Sequence, residues 1–226
     1  MPSFKPNKIA VIARYRENLE WMNLLLCDSI VYNKGPSLKN CNKKVIELHN
    51  LGRESQTYLE FIVSNYDKIK ADRTYVFLQG HPFEPHIVNI KEINDVGPVK
   101  EFTPFGQYVF KEGPRGPVNQ KFPMGIPMVE FCDLLFKNSP ITDNSINIYN
   151  LGGQFAVSGE NILYRDINFY KFVNRCLLKK NPIEGHMMER IWHIIFDGKT
   201  QDRFSLYKDS RNSCLEFGAY WGGEIE

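Results

Sequence analysis

The sequence predicts an α/β domain with a mainly parallel central sheet flanked by helices, and three observations carry that expectation. Ile9–Ala13 and Thr74–Leu78 are short continuous apolar runs, the pattern of strands buried on both faces. Between them lies a segment of helical period, with Tyr58, Leu59, Ile62 and Tyr66 on one face of a helix that opens at Gly52. Turn chemistry at Asn33-Lys34-Gly35-Pro36 and Gln79-Gly80-His81-Pro82 closes the strands. Strands alternating with helices favour parallel pairing with cover on both faces.

The remaining elements follow in order. Asn18 to Leu26 carries helical spacing through Leu19, Met22, Leu25 and Leu26, and Ser29–Tyr32 and Val45–Leu48 read as the second and third strands. Residues 97–127 hold six prolines and five glycines in 31 positions, which excludes a long helix or a central strand. The aromatic residues of that stretch (Phe102, Phe105, Tyr108, Phe110, Phe122) predict a folded excursion near the ligand rim. Beyond it, Met128–Phe136 reads as a helix and Ile146–Tyr149 as a strand. Gly152-Gly153-Gln154 is a tight turn into a strand over Phe155–Ser158. Glu160–Lys179 is expected to be largely helical. Asn181-Pro182-Ile183-Glu184 has the form of a capping box opening a last helix through Phe196.

Composition narrows the class of function. A chain of 226 residues with 42 % apolar and 24 % charged content is expected to form a single globular domain over 1–226. Basic and acidic residues number 28 and 26, a balance unlike that of a protein built to grip nucleic acid. The 13 % aromatic content suits a well-filled core or a surface for planar and sugar-like ligands. Five isolated cysteines, Cys27, Cys41, Cys132, Cys176 and Cys214, read as reduced thiols of a cytoplasmic protein. No apolar run approaches the roughly 20 residues of a transmembrane segment, and the start lacks a signal-peptide pattern.

In open α/β sheets ligands bind beyond the carboxyl ends of the strands. That rule places Arg14–Glu17, Asn33–Gly35 and Gln79–His86 along one rim.

Three stretches carry a resemblance: Asn50-Leu-Gly-Arg-Glu-Ser-Gln-Thr-Tyr, Val76-Phe-Leu-Gln-Gly-His-Pro-Phe, and Gly153-Gln-Phe-Ala-Val-Ser together with Glu189-Arg-Ile-Trp-His. They are similar to a family of fungal and large-virus proteins over nearly the whole chain. That family in turn resembles the GT-A nucleotide-sugar glycosyltransferases. The Gly-Gln-Phe-Ala-Val-Ser turn and the later Glu also resemble the core-2 branching type of N-acetylglucosaminyltransferase. The resemblance implies a Rossmann-like GT-A domain. It further implies a nucleotide-sugar donor, with a UDP-sugar favoured, and a glycan or glycoprotein acceptor.

Such a reaction needs the base and ribose held, the diphosphate charge compensated, and the acceptor hydroxyl deprotonated. Arg14, Tyr15 and Glu17 are candidates for base and ribose, or else form a solvated loop. Gly52 and Arg53, at a helix start, are placed to meet diphosphate or sugar. GT-A enzymes that use Mn²⁺ place Asp-x-Asp after the strand corresponding to Thr74–Leu78, where this chain has Gln79-Gly80-His81. Hard cations such as Mn²⁺ or Mg²⁺ prefer carboxylate oxygens. Metal use is therefore open: His81, with Glu84 and His86, is one candidate site, and a metal-dependent hydrolase is a further reading. Arg203, Lys208 and Arg211 are the cationic alternatives for stabilising the leaving diphosphate.

Glu189, at the edge of the Met187-Met188-Ile191-Ile195 stripe, is the candidate base, the alternative being a helical partner to His193. Asp133 and Asp143 are spares, and Glu184 has its capping role. Gln154 and Trp192 are candidates for acceptor contact. Ser158 lacks the Gly-x-Ser-x-Gly elbow of a nucleophile. The expected function is inverting transfer of a sugar from a nucleotide donor to a hydroxyl. The alternative is a non-catalytic sugar- or nucleotide-binding module on the same fold, with the aromatic excursion as its face.

Overall fold

The computed structural model describes residues 7–39, 41–83, 88–106, 109–116, 120, 122, 125–150 and 152–203. Its centre is a six-stranded sheet. Strands β1 (Lys8–Arg14), β2 (Asp28–Asn33), β3 (Lys44–Glu47) and β4 (Thr74–Gln79) are followed by β5 (Thr103–Pro104) and β8 (Phe155–Ser158), in the spatial order β3-β2-β1-β4-β8-β5. The first four run parallel; β8 pairs antiparallel with both β4 and β5. A mostly parallel central sheet flanked by helices is thus present. Among its described residues the Pro/Gly-rich stretch contributes the two-residue edge strand β5 and one arm of a separate ribbon, β6 (Val109–Glu112) with β7 (Asn147–Asn150). Proline is tolerated at such an edge because one ladder N–H is dispensable there.

Alternation along the strands divides the core in two. Val11, Phe77 and Phe155 point to one face, where α1 (Arg53–Asn65), α5 (Ile167–Cys176) and α6 (Ile183–Ile195) pack. Ala10, Ile12, Val76, Leu78 and Ala156 point to the other. The second face has a thinner cover, made of a 3₁₀ turn at Glu20–Leu24 and the short α2 (Ile90–Asp95). The buried Lys8 ammonium fastens α2 by donating to the carbonyls of Ile93, Asn94 and Val96 at 2.9–3.1 Å. Helix α3 (Met128–Leu135) follows the excursion.

Four local expectations are corrected. The helix expected over 18–26 is the 3₁₀ turn alone. Met22 is buried and Leu19 and Leu25 pack partly against the second core, but Leu26, the next position of the spacing, faces solvent, as does Leu24. The single helix expected over 160–179 is two, α4 (Gly159–Leu163) and α5, each with its own cap: Ser158 accepts from the Asn161 N–H and Asp166 from the Asn168 N–H. The break falls at Arg165, whose buried guanidinium reaches the carbonyls of Ile194 and Ile195 at the end of α6. The capping box at 181–184 does not form. Asn181 takes a left-handed φ of 47°, and Glu184 pairs with Lys179 at 2.7 Å, both side chains buried. Finally, Cys176 is disulfide-bonded, whereas Cys27, Cys41 and Cys132 are free thiols. Isolated cysteines reveal nothing in sequence about which of them meet in space. Among the described residues no helix is long and apolar enough to cross a membrane.

Candidate functional site

The strand order reverses direction at β1. From there the chain proceeds to β2 and β3 on one side, while β4 adds on the other. The loops leaving β1 and β4 therefore part at a switch point, where the crevice beyond the carboxyl ends takes ligands in sheets of this kind. Arg14, Tyr15, Glu17, Gln79 and His81 all lie there. Much of their polar capacity fixes the loops. Arg14 donates to the Glu17 carbonyl at 3.0 Å, Asn33 Oδ1 at 2.6 Å and the Pro36 carbonyl at 2.9 Å. The Glu17 carboxylate accepts from the Tyr15 and Arg16 N–H groups and packs on Gly80, where any side chain would strike it. Tyr15 stays open, 40 % exposed, with the Arg16 guanidinium 4.8 Å above its ring. His81 is exposed and edge-on to Phe83.

Beside this rim the start of β8 returns to the end of β4. Gln79 donates its backbone N–H to Gln154 Oε1 at 3.2 Å and its side-chain amide to the Gly152 carbonyl at 2.8 Å. Gln154 is buried, and its amide donates to the Pro82 carbonyl at 3.2 Å. Both ends of its side chain thus hold the loop. Gly152 and Gly153 have φ of 97° and 58°, left-handed values that glycine adopts at least cost. The Gly152 N–H donates to Glu189 Oε1.

Glu189 faces a cavity of about 240 Å³ whose wall includes Phe102, Tyr149, Asn150, Gln154, Trp192 and His193. Burial pushes its carboxyl above the usual range. The Gly152 N–H opposes the rise, Glu54 adds to it, and Arg190 and Arg53 pull the other way. Arg190 is itself held by a two-toothed contact to Glu112 at 2.7 and 3.0 Å, which leaves it 3.8 Å from Glu189. His193, one helical turn on, is pushed down by burial, with Asp197 opposing, and so is neutral near pH 7.

Trp192 is a core residue, 1 % exposed, ringed by Tyr58, Phe155 and Phe196. It offers no open ring face to a sugar. Its Nε1 donor, however, is buried without a partner in a side chain that lines the cavity. Native structures rarely leave such a donor unmet.

Gly52 and Arg53 form a third group. Both have left-handed backbones, φ 65° and 56°, at the start of α1. The Arg53 guanidinium meets the His186 ring at 2.8 Å and lies 3.7 Å from Glu54. Beneath them, buried Lys34 donates to the carbonyls of Leu51 and Arg53 at 2.5 Å and so pins the turn. Burial lowers Lys34 from 10.5 to about 7, against the pull of Glu54 and Glu60. The folded chain releases this proton near pH 7 and the unfolded chain only near 10.5, so stability rises with pH across that window. The slope is at most about 1.4 kcal/mol per pH unit. Lys34→Met should abolish it in denaturant midpoints taken from about pH 7 to 9. Parallel profiles of the two proteins would show that Lys34 keeps its proton.

No three His, Cys, Asp or Glu side chains converge on an ion position among the described residues. Gln79 is turned to Gly152 and His81 lies against Phe83, so neither forms part of a three-ligand cluster for Mn²⁺ or Mg²⁺ among the described residues. Glu84, His86, Lys208 and Arg211 lie outside the described residues. Arg203 is bonded to the carbonyl of Lys137 and belongs to the end of α3.

The sequence names Glu189 as a candidate, and it lines the cavity, but it does not single out Tyr149, Asn150 and His193, which line it too. For His193 a signal existed: four residues after Glu189, it shares that residue's helix face.

The fold is mixed α/β, and the cavity at Glu189 lies beside the start of β8, where that strand pairs with the end of β4. The chain belongs to a protein family of unknown function (DUF3431), whose model matches residues 10–113 and 127–214. No curated protein and no solved structure gives a match.

Proposed function

We propose that the protein is a glycosyltransferase that moves a sugar from a nucleotide donor, a UDP-sugar first among them, to a hydroxyl of a glycan or glycoprotein, with inversion. The observation that carries this reading is Glu189. It is a carboxylate raised by burial, hydrogen-bonded by a loop amide, in a cavity adjoining the switch point of a parallel sheet. A general base works best when its pKa approaches the working pH, and burial moves Glu189 in that direction. In the proposed step the acceptor oxygen bonds to the anomeric carbon as its proton passes to Glu189. The bond from that carbon to the phosphate oxygen breaks, and the nucleoside diphosphate leaves with the electron pair.

Tyr15 supplies an open ring for the base. Arg53 and the first-turn N–H groups of α1 supply positive potential for the diphosphate. Arg53 is close enough to act on the Glu189 charge, which supports placing leaving group and base in one site. The unpaired Trp192 donor supports a hydroxyl-bearing ligand.

The test is thermal stability against UDP-, GDP- and CMP-sugars, each with Mn²⁺ and with chelator. A donor at 100 times its Kd should add about 2.7 kcal/mol. Stabilisation by one nucleotide class supports the reading and names the base. Absence of any shift overturns it in favour of a non-catalytic binding module. Stabilisation that survives chelator places the diphosphate on cationic side chains.

A further inference from the structure

A second cavity, about 710 Å³, adjoins the one at Glu189, and the two share Phe102 and His193 as common walls. Small-molecule sites run from about 300 to 1,000 Å³. The cavity at Glu189 is below that range at about 240 Å³, whereas the second lies well inside it. A ligand whose reactive hydroxyl sits at Glu189 therefore has most of its available contact area in the neighbour.

The walls of the larger cavity specify a chemistry. Phe196 is fully buried, stacked between Phe102 and Trp192, so the open ring face on this wall is that of Tyr164, 48 % exposed. Two lysines, Lys100 and Lys199, are balanced by two glutamates, Glu101 and Glu160. The other carboxylate on the wall, Asp197, is engaged by the Lys199 N–H and Thr200 hydroxyl at 2.8 Å and lies 3.9 Å from Arg165. A phosphorylated or acidic chain would face the glutamates, and a polycation the lysines. A neutral ligand with many hydroxyls and apolar ring faces meets the Tyr164 ring and both donor and acceptor groups. At the junction, the neutral His193 ring can both donate to and accept from hydroxyls.

We infer that the larger cavity is a second sugar subsite, which holds the next unit of an extended, uncharged acceptor chain whose terminal hydroxyl lies at Glu189. The inference rests on the transferase reading of Glu189 for the direction of the chain. It is tested without donor, on an array of neutral glycans from one to four sugar units, with Tyr164→Ala and Tyr164→Phe beside the parent.

The parent should retain glycans of two or more units and release monosaccharides. Tyr164→Ala should weaken retention about tenfold, and Tyr164→Phe, which keeps the ring face, should restore it. Thermal midpoints of both variants exclude misfolding as the cause. Equal retention of monosaccharides, retention of sulfated glycans alone, no retention at all, or a Tyr164→Ala variant indistinguishable from the parent would each overturn the subsite. Nucleotide-sugar stabilisation without length-dependent retention removes this inference and leaves the transferase reading. Length-dependent retention without any nucleotide effect leaves a sugar groove and removes the transfer.

Discussion

Glu189→Gln should lower sugar transfer by about 10²-fold or more while leaving donor stabilisation intact. The glutamine keeps an oxygen for the Gly152 N–H, so the loop geometry survives and only the proton acceptor is lost. Stability should move the opposite way. The folded-state pKa of Glu189 lies above its unfolded value. The stabilising contribution is therefore complete at low pH and is lost as pH rises through the folded pKa. The variant has no such loss, and its stability relative to the parent should increase from about pH 4 to pH 7. Parent activity should rise over the same limb as the base ionises. Transfer by the variant at near-parent rates would remove Glu189 from the chemistry, and a constant stability difference would remove its raised pKa.

Trp192→Ala should cost about 3–5 kcal/mol. The indole is shared by Tyr58, Phe155 and Phe196, with centroids 6.1, 5.3 and 5.6 Å away, and its removal opens a void where α6 meets the sheet. Trp192→Phe separates packing from hydrogen bonding. It keeps an aromatic ring in the cluster and deletes a buried donor that has no partner, so it should cost less than about 2 kcal/mol. Chemical denaturation of both variants checks the pair. An alanine variant within about 1 kcal/mol of the parent would show that the cluster repacks around the loss.

Helical spacing already held the position of Trp192. It lies four residues after Met188 and three before Ile195, both fully buried, so the same stripe that puts those residues inside includes it. The same placement packs its ring into the core while leaving the side chain on the cavity wall. Glu189 was legible for the complementary reason, since it borders the stripe. The parallel strands were also legible, because burial on both faces leaves continuous apolar runs such as that of β4. The antiparallel return of β8 was not: a four-residue buried strand carries no mark of direction. Likewise Asn181-Pro182-Ile183-Glu184 has every residue of a capping box, and a lysine two positions before the asparagine claims the glutamate instead. Short motifs state which bonds are available, and tertiary neighbours decide which ones form.

The return of β8 also bears on how the chain reaches its working form. The bonds that join the rim to the carboxylate link Gln79 with Gly152 and Gln154, 73 and 75 residues apart, and Gly152 with Glu189, 37 residues apart. All three are non-local contacts of the kind that slows folding, because long loops must close before they are rewarded. The parallel quartet β1–β4 is complete in the first 79 residues and holds only half of the candidate site. A partly folded chain in which β8 has not paired with β4 has the sheet, yet it lacks the positioned carboxylate. The proposed site is therefore complete only where β8 has paired with β4.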